Sequence, residues 1–175
     1  MHLNKYYFIN KFDPHQIKKL NKNISIIYRN YNSIINVDLL IKIKNFCKKN
    51  RRKFYLSNNA KLALKLNLDG VYLPSFNKSL KHLNYQMKKK FLIIGSAHNL
   101  KEIRIKEKQK TSHIFISSIF SKEKNYLGFY KFNNLLKMTK KKIIALGGIN
   151  NNNIKKISML NISGFAAINY FNKSN

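Results

Sequence analysis

The stretch from Lys142 to Phe171, KIIALGGINNNNIKKISMLNISGFAAINYF, holds the residue types whose spacing could do chemistry. It reads as an apolar strand, a Gly147-Gly148 turn, a short amphipathic helix opening at Asn150 and a second strand of small residues. The two glycines let backbone come close to a ligand. The helix opening points unsatisfied N–H groups and a positive dipole at the same spot, so an anion, a phosphate above all, belongs there. Other reactive groups are few. The six carboxylates are Asp13, Asp38, Asp69, Glu102, Glu107 and Glu123, and only Glu123 lies on a loop expected to follow a strand's C-terminal end. None of the five histidines shows metal-ligand spacing, and His2, His15, His82 and His113 read as structural or solvated. His98 begins a loop after an apolar strand, where an imidazole can serve as acid and base, cap a helix or bind a phosphate. The single cysteine, Cys47 in LLIKIKNFCKKN, is expected to face the core, which excludes an internal disulfide and a multi-cysteine metal site.

These residues need a frame. Eight strand-like runs are legible: KYYFIN (5–10), ISIIYR (24–29), KFYLS (53–57), GVYLP (70–74), FLIIGSA (91–97), HIFISSIF (113–120), KIIALGG (142–148) and GFAAINYF (164–171). Most are continuously apolar, as strands covered on both faces of a parallel sheet are. Helical segments separate them: DPHQIKKLNK with Asp13 as cap, VDLLIKIKNFCKKN, NAKLALKLN, NKSLKHLNYQMKKK, NLKEIRIKEKQK, GFYKFNNLLKMTK and NNNIKKISMLN. Asn58 and Asn99 are the expected caps of two of them. In NLKEIRIKEKQK the apolar stripe is thin, which predicts a solvated outer helix. Strict βα alternation predicts one α/β domain over residues 1–175, a compact (β/α)₈ TIM barrel, with an open doubly wound sheet as the alternative. In such a barrel the loops after the last two strands hold phosphate, and the KKK runs at 88–90 and 140–142 fall at the opposite, N-terminal end.

A chain of 175 residues that is 44% hydrophobic can bury one full core and has no room for a second domain. It contains no apolar run long enough to cross a membrane, and MHLNKYYFINKF lacks the features of a secretory signal, so a cytoplasmic location is expected. Thirty-five Lys and Arg stand against six Asp and Glu, a net charge of +29. Such a charge ordinarily points to a phosphate-rich partner. Only four of the cations are Arg, however, and the abundant Lys, Asn, Ile, Tyr and Phe all have A/T-rich codons. Compositional bias accounts for that chemistry without selection for nucleic acid, leaving weak, salt-sensitive adhesion to RNA as the expectation.

The segments SNNAKLALKLNLDGVYLP, IIGSAHNLKEI, HIFISSIFSKEKNYLGF and IIALGGINNNNIKKISMLNISGFAAINYF are similar, in order and spacing, to the thiamine-phosphate synthase/TenI family of (β/α)₈ barrels. The resemblance runs from about Ile24 to Phe171 and is carried by Asp69-Gly70-Val71, Ser96-x-His98 and ALGGI with Asn150. It implies a role in thiamine biosynthesis, in which a pyrimidine pyrophosphate is joined to a thiazole phosphate with magnesium stabilising the departing pyrophosphate. Carried over by position, Arg29 matches the arginine of the family's Gln-Leu-Arg-Glu-Lys motif and Ser96 the serine near the pyrophosphate. Lys122 or Lys124 matches the lysine after strand six, and Gly147 and Gly148 the thiazole-phosphate turn. Asn169 falls where the family often has serine.

This sequence also departs from the family's pattern. Ile27 and Tyr31 stand in place of that motif's glutamine and lysine, Ser57-Asn58 replaces an Asn-Asp pair, and Asn77 stands where a second magnesium carboxylate is expected. Neutral oxygens hold magnesium weakly, so no metal ligand is assigned and magnesium is only a possible cofactor. The TenI branch includes a thiazole tautomerase, which shifts a proton without a metal, and a histidine that begins a loop at the barrel's C-terminal face, as His98 does, suits that acid/base task. Three readings stay open: a synthase-type transferase, a tautomerase-like isomerase, and a non-catalytic barrel that binds a phosphorylated metabolite or RNA.

Overall fold

The computed structural model of the protein describes residues 3–31 and 34–172. Eight parallel strands close into a barrel in sequence order. They are β1 (Asn4–Ile9), β2 (Ile24–Tyr28), β3 (Phe54–Ser57), β4 (Gly70–Leu73), β5 (Leu92–Ala97), β6 (His113–Ile116), β7 (Lys142–Leu146) and β8 (Gly164–Ala166). Closure comes from β1, which pairs with β2 from Lys5↔Ile24 and with β8 from Asn4↔Gly164. Around the barrel lie α1 (Pro14–Lys19), α2 (Val37–Lys49), α3 (Ala60–Lys65), α4 (Leu100–Lys108), α5 (Gly128–Lys137), α6 (Ile154–Ser158) and α7 (Asn169–Asn172). The architecture is the (β/α)₈ barrel that the alternation predicts, and the open sheet is set aside.

The strands are buried on both faces, which is why they read as apolar runs. One face packs under the helices; the other fills the barrel with Tyr6, Phe8, Ile27, Tyr55, Tyr72, Ile94, Phe115, Ile144 and Ala166. Phe115 stands at the centre of that filling, edge-on to Tyr6 at 5.2 Å and to Phe8 and Tyr72 at 5.6 Å. The rings need room. A Cβ on Gly70 would sit 2.9 Å from the Tyr55 ring and 2.1 Å from the Leu92 carbonyl oxygen, so only glycine fits beside that tyrosine.

Local signals set the helix ends. Asp13 accepts from the N–H groups of His15 and Gln16 at 2.9 and 3.1 Å and opens α1 at Pro14. In α2, capped by Asn36, Leu40, Ile43 and Cys47 form the buried stripe. Burial pushes the Cys47 thiol up to about 12, as suits an inert packing group. Among the described residues no helix is long and apolar enough to cross a membrane.

Four expectations are corrected. Asn58 does not cap α3; Asn59 does, accepting from Leu62 N–H at 2.9 Å, while Asn58 takes a left-handed φ of 60°. The helix expected over NKSLKHLNYQMKKK shrinks to a 3₁₀ turn, Lys81–Asn84, because side chains satisfy the backbone of this loop. Gln109 Nε2 donates to the carbonyls of Asn77 and Ser79 at 3.1 and 2.8 Å, and Lys106 Nζ donates to those of Pro74 and Asn77 at 2.7 and 2.8 Å. Accordingly α4 is no solvated outer helix: Ile103 and Lys106 are fully buried, and His82, buried too, donates from Nε2 to Gln109 O at 2.9 Å. Last, β6 stops at Ile116 and β8 at Ala166; the chain then turns into loop 117–127 and into α7, which begins at Asn169.

Candidate functional site

Parallel strands put all their C-terminal ends on one face of the barrel, and a cavity of about 420 Å³ opens there. Arg29 enters it from the end of β2, His98 from the end of β5, Ser117, Ser118, Ser121 and Glu123 from the loop after β6, and Gly147 and Gly148 from the end of β7. A second cavity of similar volume lies at the N-terminal end around Lys44, Lys48, Arg51 and Lys53 and holds none of the expected residues.

The glycine turn is built for close approach, though not only to a ligand. Gly147 and Gly148 take φ of 105° and 71°. A Cβ on Gly147 would lie 2.3 Å from Ser118 Oγ, and one on Gly148 2.5 Å from Ser121 N. Loop 117–121 therefore presses on the turn, and the two share one wall of the cavity. The helix after the turn opens at Ile154, not at Asn150. The four asparagines between form a local knot: Asn150 N–H donates to Asn153 Oδ1 at 2.9 Å, Asn152 N–H to Asn150 Oδ1 at 2.9 Å, and Asn153 Nδ2 to Gly148 O at 2.8 Å. The positive end of the site is thus the glycine turn and Arg29, without a helix opening at Asn150.

Arg29 is exposed, with its guanidinium 4.9 Å from the centre of the Phe8 ring. Stacking of this kind holds the cation at the cavity mouth while leaving its N–H groups free for an anion. Glu123 is the acid of the cavity and accepts from Ser121 Oγ at 2.7 Å. His98 pairs with Glu102, Nδ1 to Oε2 at 3.0 Å.

The other expected residues lie in other settings. Ser96 is buried in β5 and hydrogen-bonds the Tyr72 hydroxyl, which burial pushes up to about 12 while that bond works the other way. Lys122 and Lys124 are exposed on the loop that carries Glu123 and do not line the cavity. The Asn169 side chain lies outside the described residues, as does His2. Ser57 and Asn58 stand at the end of β3 in a neutral network. Ser57 Oγ donates to the Tyr31 hydroxyl at 2.9 Å, Asn77 Nδ2 donates to Asn58 Oδ1 at 2.6 Å, and Tyr31 packs edge-on to Phe76 at 5.3 Å.

That network decides how well magnesium fits. At the positions where the resemblance would put its carboxylates, the amides of Asn58 and Asn77 bond each other and the Ser57 hydroxyl bonds Tyr31, and among the described residues no group of three His, Cys, Asp or Glu could hold a metal ion. Magnesium wants charged oxygen ligands in an octahedral set. The residues present do not fit it.

Sequence reasoning left Glu102, Ser117, Ser118 and Ser121 unassigned. Glu102 had a signal, standing three residues after Asn99 and four after His98, the spacing of a helix cap and of a same-face pair. The serines had none, because Ser117 and Ser118 read as part of strand six and Ser121 stands just past its end.

Comparison with known proteins bears on the family and the fold. The sequence profile of the thiamine monophosphate synthase (TMP-TENI) family matches residues 19–171. A thiamine-phosphate synthase of Pelagibacter ubique is 30% identical over 174 residues, 94% of this chain and 83% of that protein. One of Methanococcus vannielii is 24% identical over 119 residues, 66% of this chain, and the match spans only 57% of that protein's length. In fold, the chain is similar to the thiamine phosphate pyrophosphorylase of Pyrococcus furiosus, with a TM-score of 0.77 at 19% identity over 95% of this chain and 85% of that one. With the profile covering most of its length and the barrel in place, the chain belongs to the thiamine monophosphate synthase family.

Proposed function

We propose that the protein serves thiamine biosynthesis by binding a thiazole phosphate at the Gly147–Gly148 turn, as a cytoplasmic member of its family. The observation that carries this reading is the single cavity in which the glycine turn, Arg29 and His98 meet. An anionic headgroup there would find the guanidinium of Arg29 and the hydroxyl of Ser117, while Leu146 and Ile168 offer apolar surface to a heterocycle. Coupling to a pyrimidine pyrophosphate, the reaction that the family resemblance implies, asks for stabilisation of a departing pyrophosphate. Ser57, Asn58 and Asn77 supply no charge for that, so formation of thiamine phosphate is slow at most and does not draw on magnesium. Incubating the chain with both substrates, with and without magnesium, tests this directly. Brisk coupling that requires magnesium would show that metal ligands exist outside the neutral network.

A second reading, isomerisation of the thiazole phosphate by proton transfer, is favoured by one observation: His98 lines the same cavity and is held by a carboxylate. This chemistry needs an acid/base group and no metal. Lys122 and Lys124 do not join Arg29 in this cavity, so the anion site draws its cationic side chain from Arg29 alone, and weak, salt-sensitive RNA adhesion belongs to the lysine-rich surface.

A further inference from the structure

One oxygen of Glu102 takes two hydrogen bonds from the same residue: the His98 backbone N–H donates to Oε2 at 2.7 Å, and the His98 ring Nδ1 lies 3.0 Å from it. Glu102 is itself pinned in the first turn of α4. Its N–H donates to Asn99 Oδ1 at 2.9 Å, and Asn99 Nδ2 donates to its Oε1 at 3.2 Å. Neither side chain is fully exposed, at 23% for His98 and 25% for Glu102, so water competes only partly for the contact. An ionised carboxylate can only accept, so the contact with Nδ1 requires the proton to be on that nitrogen. In the neutral ring Nε2 then carries the lone pair and is the nitrogen that can take a proton.

We propose that Glu102 is a positioning residue that holds His98 in the Nδ1–H tautomer and so presents Nε2 as the proton acceptor toward a ligand at the Gly147–Gly148 turn. The proposal rests on the reading of this cavity as a thiazole-phosphate site. In the isomerisation Nε2 takes a proton from one carbon of the heterocycle, the electron pair of that C–H bond moves into the ring, and the same proton returns at another carbon. Nothing is oxidised or lost, and Glu102 stays ionised throughout. The other charged groups facing the histidine are Arg29 and Glu123 across the cavity and Lys131 of α5, beside it in a shallow groove. The competing role for Glu102 is that of a helix cap alone.

Glu102→Gln separates the two roles, because glutamine keeps the length and an accepting oxygen but loses the charge. The long-range ¹H–¹⁵N spectrum of ¹⁵N-histidine-labelled protein, with the His98 signal assigned by its loss in His98→Gln, reads the tautomer of the neutral ring without any ligand. The Nδ1–H form is expected to predominate by about ten-fold or more, as a charge-assisted hydrogen bond implies, and Glu102→Gln is expected to erase that preference. Isomerase turnover should fall by about ten-fold or more in Glu102→Gln with KM unchanged, the order of effect seen where an outer carboxylate orients a histidine. A wild-type ring in the Nε2–H form, or a tautomer that Glu102→Gln leaves untouched, overturns the proposal. The wild-type spectrum decides even if the variant fails to fold. Absence of isomerase activity alongside the Nδ1–H tautomer would remove the isomerase reading and leave the Glu102 assignment standing.

Discussion

Gly148 is the residue on which the proposed phosphate site turns. Its φ of 71° is left-handed, and an added Cβ would meet Ser121 N at 2.5 Å. Gly148→Ala must therefore displace either the turn or loop 117–121, at a conformational cost of about 1–2 kcal/mol before any clash. Titration with thiazole phosphate should show affinity reduced by about ten-fold or more, in line with that cost. His98→Ala is expected to do the opposite, leaving affinity largely intact while lowering any isomerase turnover by roughly 10²-fold, the usual worth of a general acid/base. The glycine pair was legible because two glycines after an apolar run mark a backbone that must approach something closely. What it approaches was legible only in part, since the sequence does not reveal that Ser118 and Ser121 crowd the same turn. Asn99 was visible as a helix cap, but Glu102 was not visible as a partner of His98, because a carboxylate in the first turn of a helix is explained by the helix end alone.

Helix α4 and the loop from β4 to β5 form the element least foreseen. Lys106 interrupts an apolar stripe and reads as solvated, yet it is fully buried, its three protons matched by Pro74 O, Asn77 O and Gln109 Oε1 at 2.7, 2.8 and 3.0 Å. The lysine replaces the missing helix as the anchor of the loop that carries Asn77. A lysine buried whole, with its ammonium bonded to loop oxygens, gives no periodic signal, which is why a helix was expected over the loop and a solvated face on α4. Burial lowers the Lys106 ammonium to about 8, with the charge of Glu102 working the other way. An unfolded lysine titrates near about 10.4, so between these values the unfolded chain holds more protons and stability from this site rises with pH. Below about pH 8 the contribution is flat. Urea unfolding at about pH 7 and about pH 10 should show the wild type gaining stability relative to Lys106→Met, in which the titration is absent. An equal pH response in both proteins would mean that Lys106 keeps its ordinary titration in the fold.

At the scale of the whole molecule, the barrel was legible from eight apolar runs in alternation with helical ones, since burial on both strand faces leaves an unbroken apolar mark. Strand ends were less so: small residues such as Ala167, Ser117 and Ser118 continue the apolar mark past the point where pairing stops. The filling of the barrel carries much of its stability, and Phe115→Ala, which empties the centre of four packed rings, should cost about 3–5 kcal/mol in urea unfolding. The net charge of +29 belongs to this scale as well. If it reflects composition, RNA binding is independent of sequence and weakens by several orders of magnitude, roughly 10³-fold or more, between low and moderate salt. Selective, nanomolar binding at physiological salt would make nucleic acid a true partner. The most direct test of the site is calorimetric titration of the full chain with thiazole phosphate, alone, with magnesium, and with a chelator. Saturable binding that is the same in all three, and is weakened by Gly148→Ala, is the predicted result. Binding that appears only with magnesium, or no binding at all, would contradict it.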